Sequence, residues 1–249
     1  AFEGDSHVGR IKIESGGCSY ERTYGKSIEV FSGCGTEAED GLEIEFGKKV
    51  KEIPYLNLSG TGLRRTSLSE GIEGIGVAAF YGCANLEEIH LPESIKEIKD
   101  RAFNGCKKLK EVVLPSGVEN VGGDAFSNCT NIGKVTVKGN ITSGGAAFVN
   151  AGSEVTDSEG NNKGLEVIYA PGVTTIGTSL MRNSLIREVN LPEGVEKIAK
   201  YAFSGCSKLE RIELPESMQT VGGEAFEGDS HVGRIKIESG GCSYERTYG

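Results

Sequence analysis

Apolar residues along much of this chain return on a beat of 23 positions. Four stretches align without gaps: LEEIHLPESIKEIKDRAFNGC (86–106), LKEVVLPSGVENVGGDAFSNC (109–129), IREVNLPEGVEKIAKYAFSGC (186–206) and LERIELPESMQTVGGEAFEGD (209–229). In the first, Leu86, Ile89 and Leu91 are separated by Glu87, Glu88 and His90. The Ile89–Leu91 alternation predicts a short strand with one buried face. Pro92 has no N–H to offer a ladder, so the strand ends there. Ile95 and Ile98 follow, then Ala102 and Phe103. Ala is small enough for a tight bend, Phe fills the middle of the coil, and Gly105 permits the turn into the next. One such coil leaves its apolar edge bare. Stacked coils cover one another, so the pattern predicts a solenoid.

Weaker copies extend the series. LRRTSLSEGIEGIGVAAFYGC (63–83) has Ser69 where Pro is expected, LEVIYAPGVTTIGTSLM (165–181) aligns with Leu180 in place of Phe, and LEIEFGKKVKEIPYLNL (42–58) is shortened. VGRIKIE (8–14) and IGKVTVK (132–138) match each other, and each precedes a long gap. The first gap reads as an insertion over 18–41, with a strand at Ile28–Phe31; the second as a polar loop over 149–164. Strand starts at 8, 42, 63, 86, 109, 132, 165, 186 and 209 give nine coils, and the start at 232 copies the first. At the spacing of paired strands, nine coils advance about 43 Å.

The pattern L-x-x-I-x-L-P, then a Val or Ile pair, then A-F-x-G-C, resembles the BspA-like class of leucine-rich repeat. The resemblance covers most of the chain. It implies a single α/β leucine-rich-repeat solenoid over 1–249, built of short parallel β-strands with turns and short helical segments. Proteins of this class are typically secreted or surface-attached microbial proteins with roles in adhesion to host proteins and in cell aggregation. The resemblance thus implies an extracellular or cell-surface location, with surface proteins of a host or a neighbouring cell as partners. It names no ligand.

A longer repeat lies over the short one. Ala1–Gly25 and Ala225–Gly249 are identical letter for letter, at an offset of 224 residues. The match keeps even its Glu, Lys and Ser residues, the positions that diverge first in old repeats. Solenoids normally carry capping repeats, and neither end of this sequence has one. The expectation is a window on an array with a 224-residue period. In the noncovalent equivalent, a neighbour's Ala225–Gly249 takes the slot of Ala1–Gly25. Head-to-tail association of this kind builds filaments when it does not close into a ring.

Composition narrows the partners. The 249 residues carry a formal charge of −9 with scattered Lys and Arg, which disfavours nucleic acid and anionic membranes. No apolar run approaches membrane-spanning length, so no insertion is expected from this segment. Thirty-seven Gly and the absence of Trp suit short strands and turns better than a helical bundle.

Chemistry is sparse. Cys83, Cys106, Cys129 and Cys206 share one slot of the repeat and read as buried structural thiols. Cys18 and Cys34 lie in the first insertion and are candidates for a loop disulfide in an oxidising compartment. Gly71-x-x-Gly74-x-Gly76 lacks the helix that a phosphate loop needs. The run Asp157–Asn162 is too short for a known calcium loop. No nucleophile with a base, carboxylate pair or metal cluster emerges, so neither enzyme activity nor a cofactor is expected.

The position after the first strand Leu reads Arg64, Glu87, Lys110, Gly133, Glu166, Arg187, Glu210. The next pairs Arg65 with Glu88, Glu111 with Lys134, and Glu188 with Arg211. Opposite charges facing each other across a sheet stabilise it by about 0.2–1 kcal/mol per pair. Candidate protein contacts are Glu88, His90, Lys134, Tyr169, Arg187 and Arg211 on the strands, with Tyr20, Tyr24 and Phe31 in the insertion. Two readings remain: a structural or adhesive building unit of an array, or a discrete protein-binding module acting as a monomer.

Overall fold

The computed structural model describes residues 7, 9–15, 31, 34–54, 58–232, 234–237 and 243–244, with backbone alone at 14–15, 234–237 and 243–244. They form a parallel β-solenoid of about eight turns. The expected nine coils per period extend over residues outside the described ones.

Two lines of parallel strands run along the axis. The wide line begins with Arg10–Ser15, Leu42–Lys49 and Leu63–Leu68. It resumes as Glu111–Leu114, Lys134–Val137, Leu165–Tyr169, Ile186–Asn190, Arg211–Leu214 and Arg234–Ile237. Between them, residues 86–91 keep only a single bridge, His90 to Ser67. The narrow line has two-residue strands: Glu52–Ile53, Gly74–Ile75, Glu97–Ile98, Asn120–Val121 and Ser143–Gly144, then Thr175–Ile176, Lys197–Ile198, Thr220–Val221 and Ser243–Tyr244. A strand this short suffices because Ile98 and Val121 are its sole inward residues and both are buried.

No helix occurs among the described residues, which corrects the expectation of short helical segments. The A-F-x-G-C stretch explains why. Arg101 and Gly105 both sit at positive φ (56° and 78°), which interrupts any right-handed run. The N–H groups also divide their allegiance. Those of Arg101, Phe103 and Gly105 donate to Gly123, Ala125 and Ser127 of the next coil, while those of Ala102, Asn104 and Cys106 close turns onto Lys99, Arg101 and Phe103. A helix would claim them all.

The core is a set of columns. Phe80, Phe103, Phe126 and Phe148 stack with centroids 5.0–5.1 Å apart and rings within 7° of parallel. Phe203 and Phe226 continue the stack at 5.6 Å after one interruption. Beside the rings, Cys106 and Cys129 donate their thiols to Phe80 O and Phe103 O at 3.3 and 3.1 Å. Burial pushes both thiols well above their ordinary pKa, and that of Cys206 up to about 12. They are free, buried thiols, as expected from the slot.

The interruption shifts two assignments. Ser179 holds the positive-φ position that Arg101, Asp124, Tyr201 and Glu224 hold in other coils. Counting from it, Leu180 takes the Ala slot, Met181 the Phe slot and Ser184 the Cys slot. The N–H of Met181 accordingly donates to Ala202 O, as that of Phe203 does to Ala225 O.

Candidate functional site

Two outward columns dominate the wide line. In the first, Arg10, Glu43 and Arg65 follow one another in register, as do Glu111, Lys134, Glu166, Glu188 and Arg211. Ion pairs join Arg65 to Glu88 at 3.9 Å and Glu111 to Lys134 at 3.5 Å. Alongside, Arg64 pairs with Glu87 at 3.0 Å, and Arg187 with Glu210 at 2.5 Å. The guanidinium of Arg64 lowers the Glu87 carboxyl below its usual range, through their hydrogen bond first. Arg211 faces Glu188 in register, yet its guanidinium reaches Glu213 of its own strand at 3.0 Å.

The second column contains Ser67 bridged to His90, then Val113, Thr136, Ile168 and Asn190. His90 and Asn190 are exposed, while Val113, Thr136 and Ile168 are half-buried. The middle of the sheet face is therefore a weakly polar strip with charged columns along one side. Apolar centres with charged rims are the general anatomy of protein contact surfaces.

Ile168 stands where Tyr169 was expected. A bulge between Leu165 and Glu166 shifts the register, so Ile168 pairs with Asn190. Tyr169 then faces inward opposite Val137 and is 3% exposed. Its hydroxyl has no hydrogen-bond partner, and burial raises its pKa. Tyr169 is thus a core residue and not a contact. The sequence signal is Gly172, which shares positive φ with Gly194 at an offset of 22 where the strand starts are 21 apart.

Phe31 also leaves the contact set, at 4% exposure. Phe31-Ser32-Gly33-Cys34 repeats the spacing of Phe203-Ser204-Gly205-Cys206. The N–H of Cys34 closes the same turn onto Phe31 O at 2.9 Å. Cys34 is fully buried, so it belongs to the turn slot of the repeat. Cys18, Tyr20, Tyr24 and most of the expected strand at Ile28–Phe31 lie outside the described residues.

The polar loop narrows to an excursion after Ala151, since Phe148 and Ala151 keep the core. Thr156 and Asn162 form an antiparallel bridge. Asp157 Oδ1 accepts the N–H groups of Glu159 and Asn161, each at 2.9 Å, and these backbone bonds, Asn161 first, lower the carboxyl's pKa. Its oxygens organise the turn. Among the described residues no cluster of metal-ligating side chains occurs, and no helix is long and apolar enough to cross a membrane.

The BspA type leucine rich repeat pattern matches residues 29–154 and 160–245, in six copies. No curated protein sequence matches the chain significantly. Among solved structures, a leucine rich cell surface protein from Faecalibacterium prausnitzii is similar, with 18% identity and a TM-score of 0.40 over 93% of this chain and 88% of that one. A leucine rich repeat protein of T. pallidum shows 25% identity and a TM-score of 0.48 over 78% of each. One from Bacteroides ovatus shows 23% identity and a TM-score of 0.41 over 98% of this chain and 76% of that one.

Proposed function

Because the chain belongs to the BspA-type leucine-rich repeat family, we propose that it is a non-enzymatic cell-surface protein that serves as a building unit, joined head to tail with further copies of itself. One observation carries this reading. The duplicated segment forms a strand in both places, and each copy uses a different edge. Arg10–Ser15 pairs with the strand that follows it, setting Lys12 against Glu45. Arg234–Ile237 pairs with the strand before it, setting Lys236 against Glu213. One copy of the segment therefore has two competent edges: on the first Arg10 and Lys12 register with Glu43 and Glu45, and on the second Lys236 registers with Glu213 while Arg234 registers with Arg211. Arg211–Leu214 of one chain and Leu42–Lys49 of the next could share it, giving an uninterrupted sheet. Light scattering on deletions tests the idea. Removing 1–25 leaves assembly intact or improves it, whereas removing both 1–25 and 225–249 abolishes it. Long particles from the double deletion would refute it.

A second reading has its own support: the weakly polar strip at Val113, Thr136 and Ile168, flanked by His90 and Asn190. In this reading the chain is a monomeric module that grips one surface protein of a host or neighbouring cell, with Glu88, His90, Lys134, Arg187 and Arg211 around the contact. The two readings are compatible if the assembled sheet presents the strip in series.

A further inference from the structure

The narrow line of strands carries a cleft that none of the foregoing uses. Glu97, Asn120 and Ser143 stand in register along one rim. Two residues further on, Lys99, Gly122 and Gly145 form the neighbouring row. Glycine is imposed there by the tight corner of the coil. A Cβ on Gly122 would lie 2.4 Å from Asp100 N, and one on Gly145 would lie 2.8 Å from Gly123 Cα. This glycine row borders a cleft of about 500 Å³ floored partly by glycine backbone, within the size range of sites for small ligands or short peptide segments. Val77, 54% exposed, forms an apolar end.

The charges in the cleft are unequal. Asp100 Oδ1 accepts the N–H of Gly123 at 2.8 Å, which fixes that carboxylate against the glycine row. Lys99 is the lining cation, and its ammonium is drawn to Glu52, outside the lining, at 2.7 Å. It stands 4.0 Å from Glu97. Among the described residues no cation pairs with Asp100. The cleft thus offers the Asp100 carboxylate without a cation, the Glu97 carboxylate beside Lys99, the polar side chains of Asn120 and Ser143, bare backbone and one apolar wall.

We propose that this cleft takes a lysine or arginine side chain from an extended segment of a partner protein. The aliphatic stem lies over the glycine row and Val77, and the charged head sits between Glu97 and Asp100. Long cationic side chains cover apolar surface with the stem while the head stays polar, and a head shared by two carboxylates gains charge-assisted hydrogen bonds. The site lies on the narrow line of strands, away from the wide-line edges that head-to-tail joining would use, so the two proposals fail independently.

The test uses the full chain and a dye-labelled acetyl-Ala-Lys-Ala peptide, with binding read by fluorescence anisotropy. Its counterpart carries norleucine, which keeps the stem and removes the charge. The lysine peptide should bind at least tenfold more tightly. Glu97→Gln and Asp100→Asn should each weaken binding at least threefold; the amide at 100 retains an acceptor for Gly123. Ser143→Arg, an exposed change that tethers a cation at the rim, should weaken it at least tenfold. Equal binding of the two peptides, or lysine binding unaffected by all three substitutions, would overturn the proposal.

Discussion

Two stretches of the solenoid solve the same packing problem differently. Between Gly74 and Cys129 the coils repeat at 23 residues, and each slot keeps its residue type: Ile or Val in the narrow strands, Phe in the stack, Cys in the turn. Between Asn140 and Ser184 the step lengthens and several slots change, although Phe148 and Ile176 keep their types. Ser143 bridges to Thr178 and not to Thr175, so the narrow ladder slips. Asn140 Oδ1 accepts the N–H groups of Thr174 and Thr175 at 2.8 and 3.0 Å, supplying an acceptor at the slip. Leu180 enlarges the Ala slot, Gly144 empties the slot held by Val121 next to it, Met181 replaces Phe, and Tyr169 takes a strand position held elsewhere by Leu114 or Leu214. The comparison shows that the coil conserves filled volume and paired N–H groups, while the identity of the residues that achieve this is free to change.

The largest break in that comparison comes from the regular side. Phe126→Ala removes the centre of a three-ring contact with Phe103 and Phe148 and should destabilise by about 3–5 kcal/mol, read as a lower urea midpoint. A contrast between glycines sharpens the irregular side. A Cβ on Gly144 would lie 2.6 Å from Leu180 Cα, whereas one on Gly123 meets its nearest atom, Gly145 O, at 3.3 Å. Gly144→Ala should therefore cost about 1–3 kcal/mol. Gly123→Ala should stay within about 1 kcal/mol of the parent. Equal thermal shifts for the two would contradict the volume argument.

The turn slot gives a pH test. Five buried cysteines occupy it among the described residues, Cys34 included, but Asp229 holds it in the coil after Cys206. Asp229 Oδ1 accepts the N–H of Cys206 at 2.7 Å, while Oδ2 is buried without a partner. Burial pushes this carboxyl up to about 6. A folded-state value above the unfolded one favours the protonated fold, so the contribution is complete below about pH 4 and is lost as pH rises through 6. Discounted for partial exposure, the change is about 1 kcal/mol. Asp229→Asn should flatten the stability profile between pH 4 and 7; an unchanged slope would contradict the assignment. The smallest effect belongs to the surface. Glu87→Gln, which discharges the half-buried surface pair with Arg64, should cost about 0.2–1 kcal/mol and less at high salt.

Much of this architecture was legible in the letters. The strand beat, the buried Cys slot and the alternating charges at Arg64–Glu87 and Glu111–Lys134 follow from a 23-residue period read directly. The slips were not legible, because an alignment without gaps assigns each letter to a slot by count. Tyr169 and Leu180 were each placed one position off, since the bulge at Leu165 and the positive-φ residue Ser179 are backbone events. The turn at Phe31–Cys34 was legible in principle, as F-x-G-C stands there intact within what reads as an insertion. The strip at Val113, Thr136 and Ile168 required the observed register, and the cleft beside Asp100 required knowing that Gly122 and Gly145 fall in one row.

Electron microscopy of the purified full chain in negative stain tests the head-to-tail claim most directly. The account predicts filaments whose axial repeat is about 43 Å, the advance of nine coils at the spacing of paired strands. Uniform particles one chain in length, at concentrations where the chain is abundant, would contradict it.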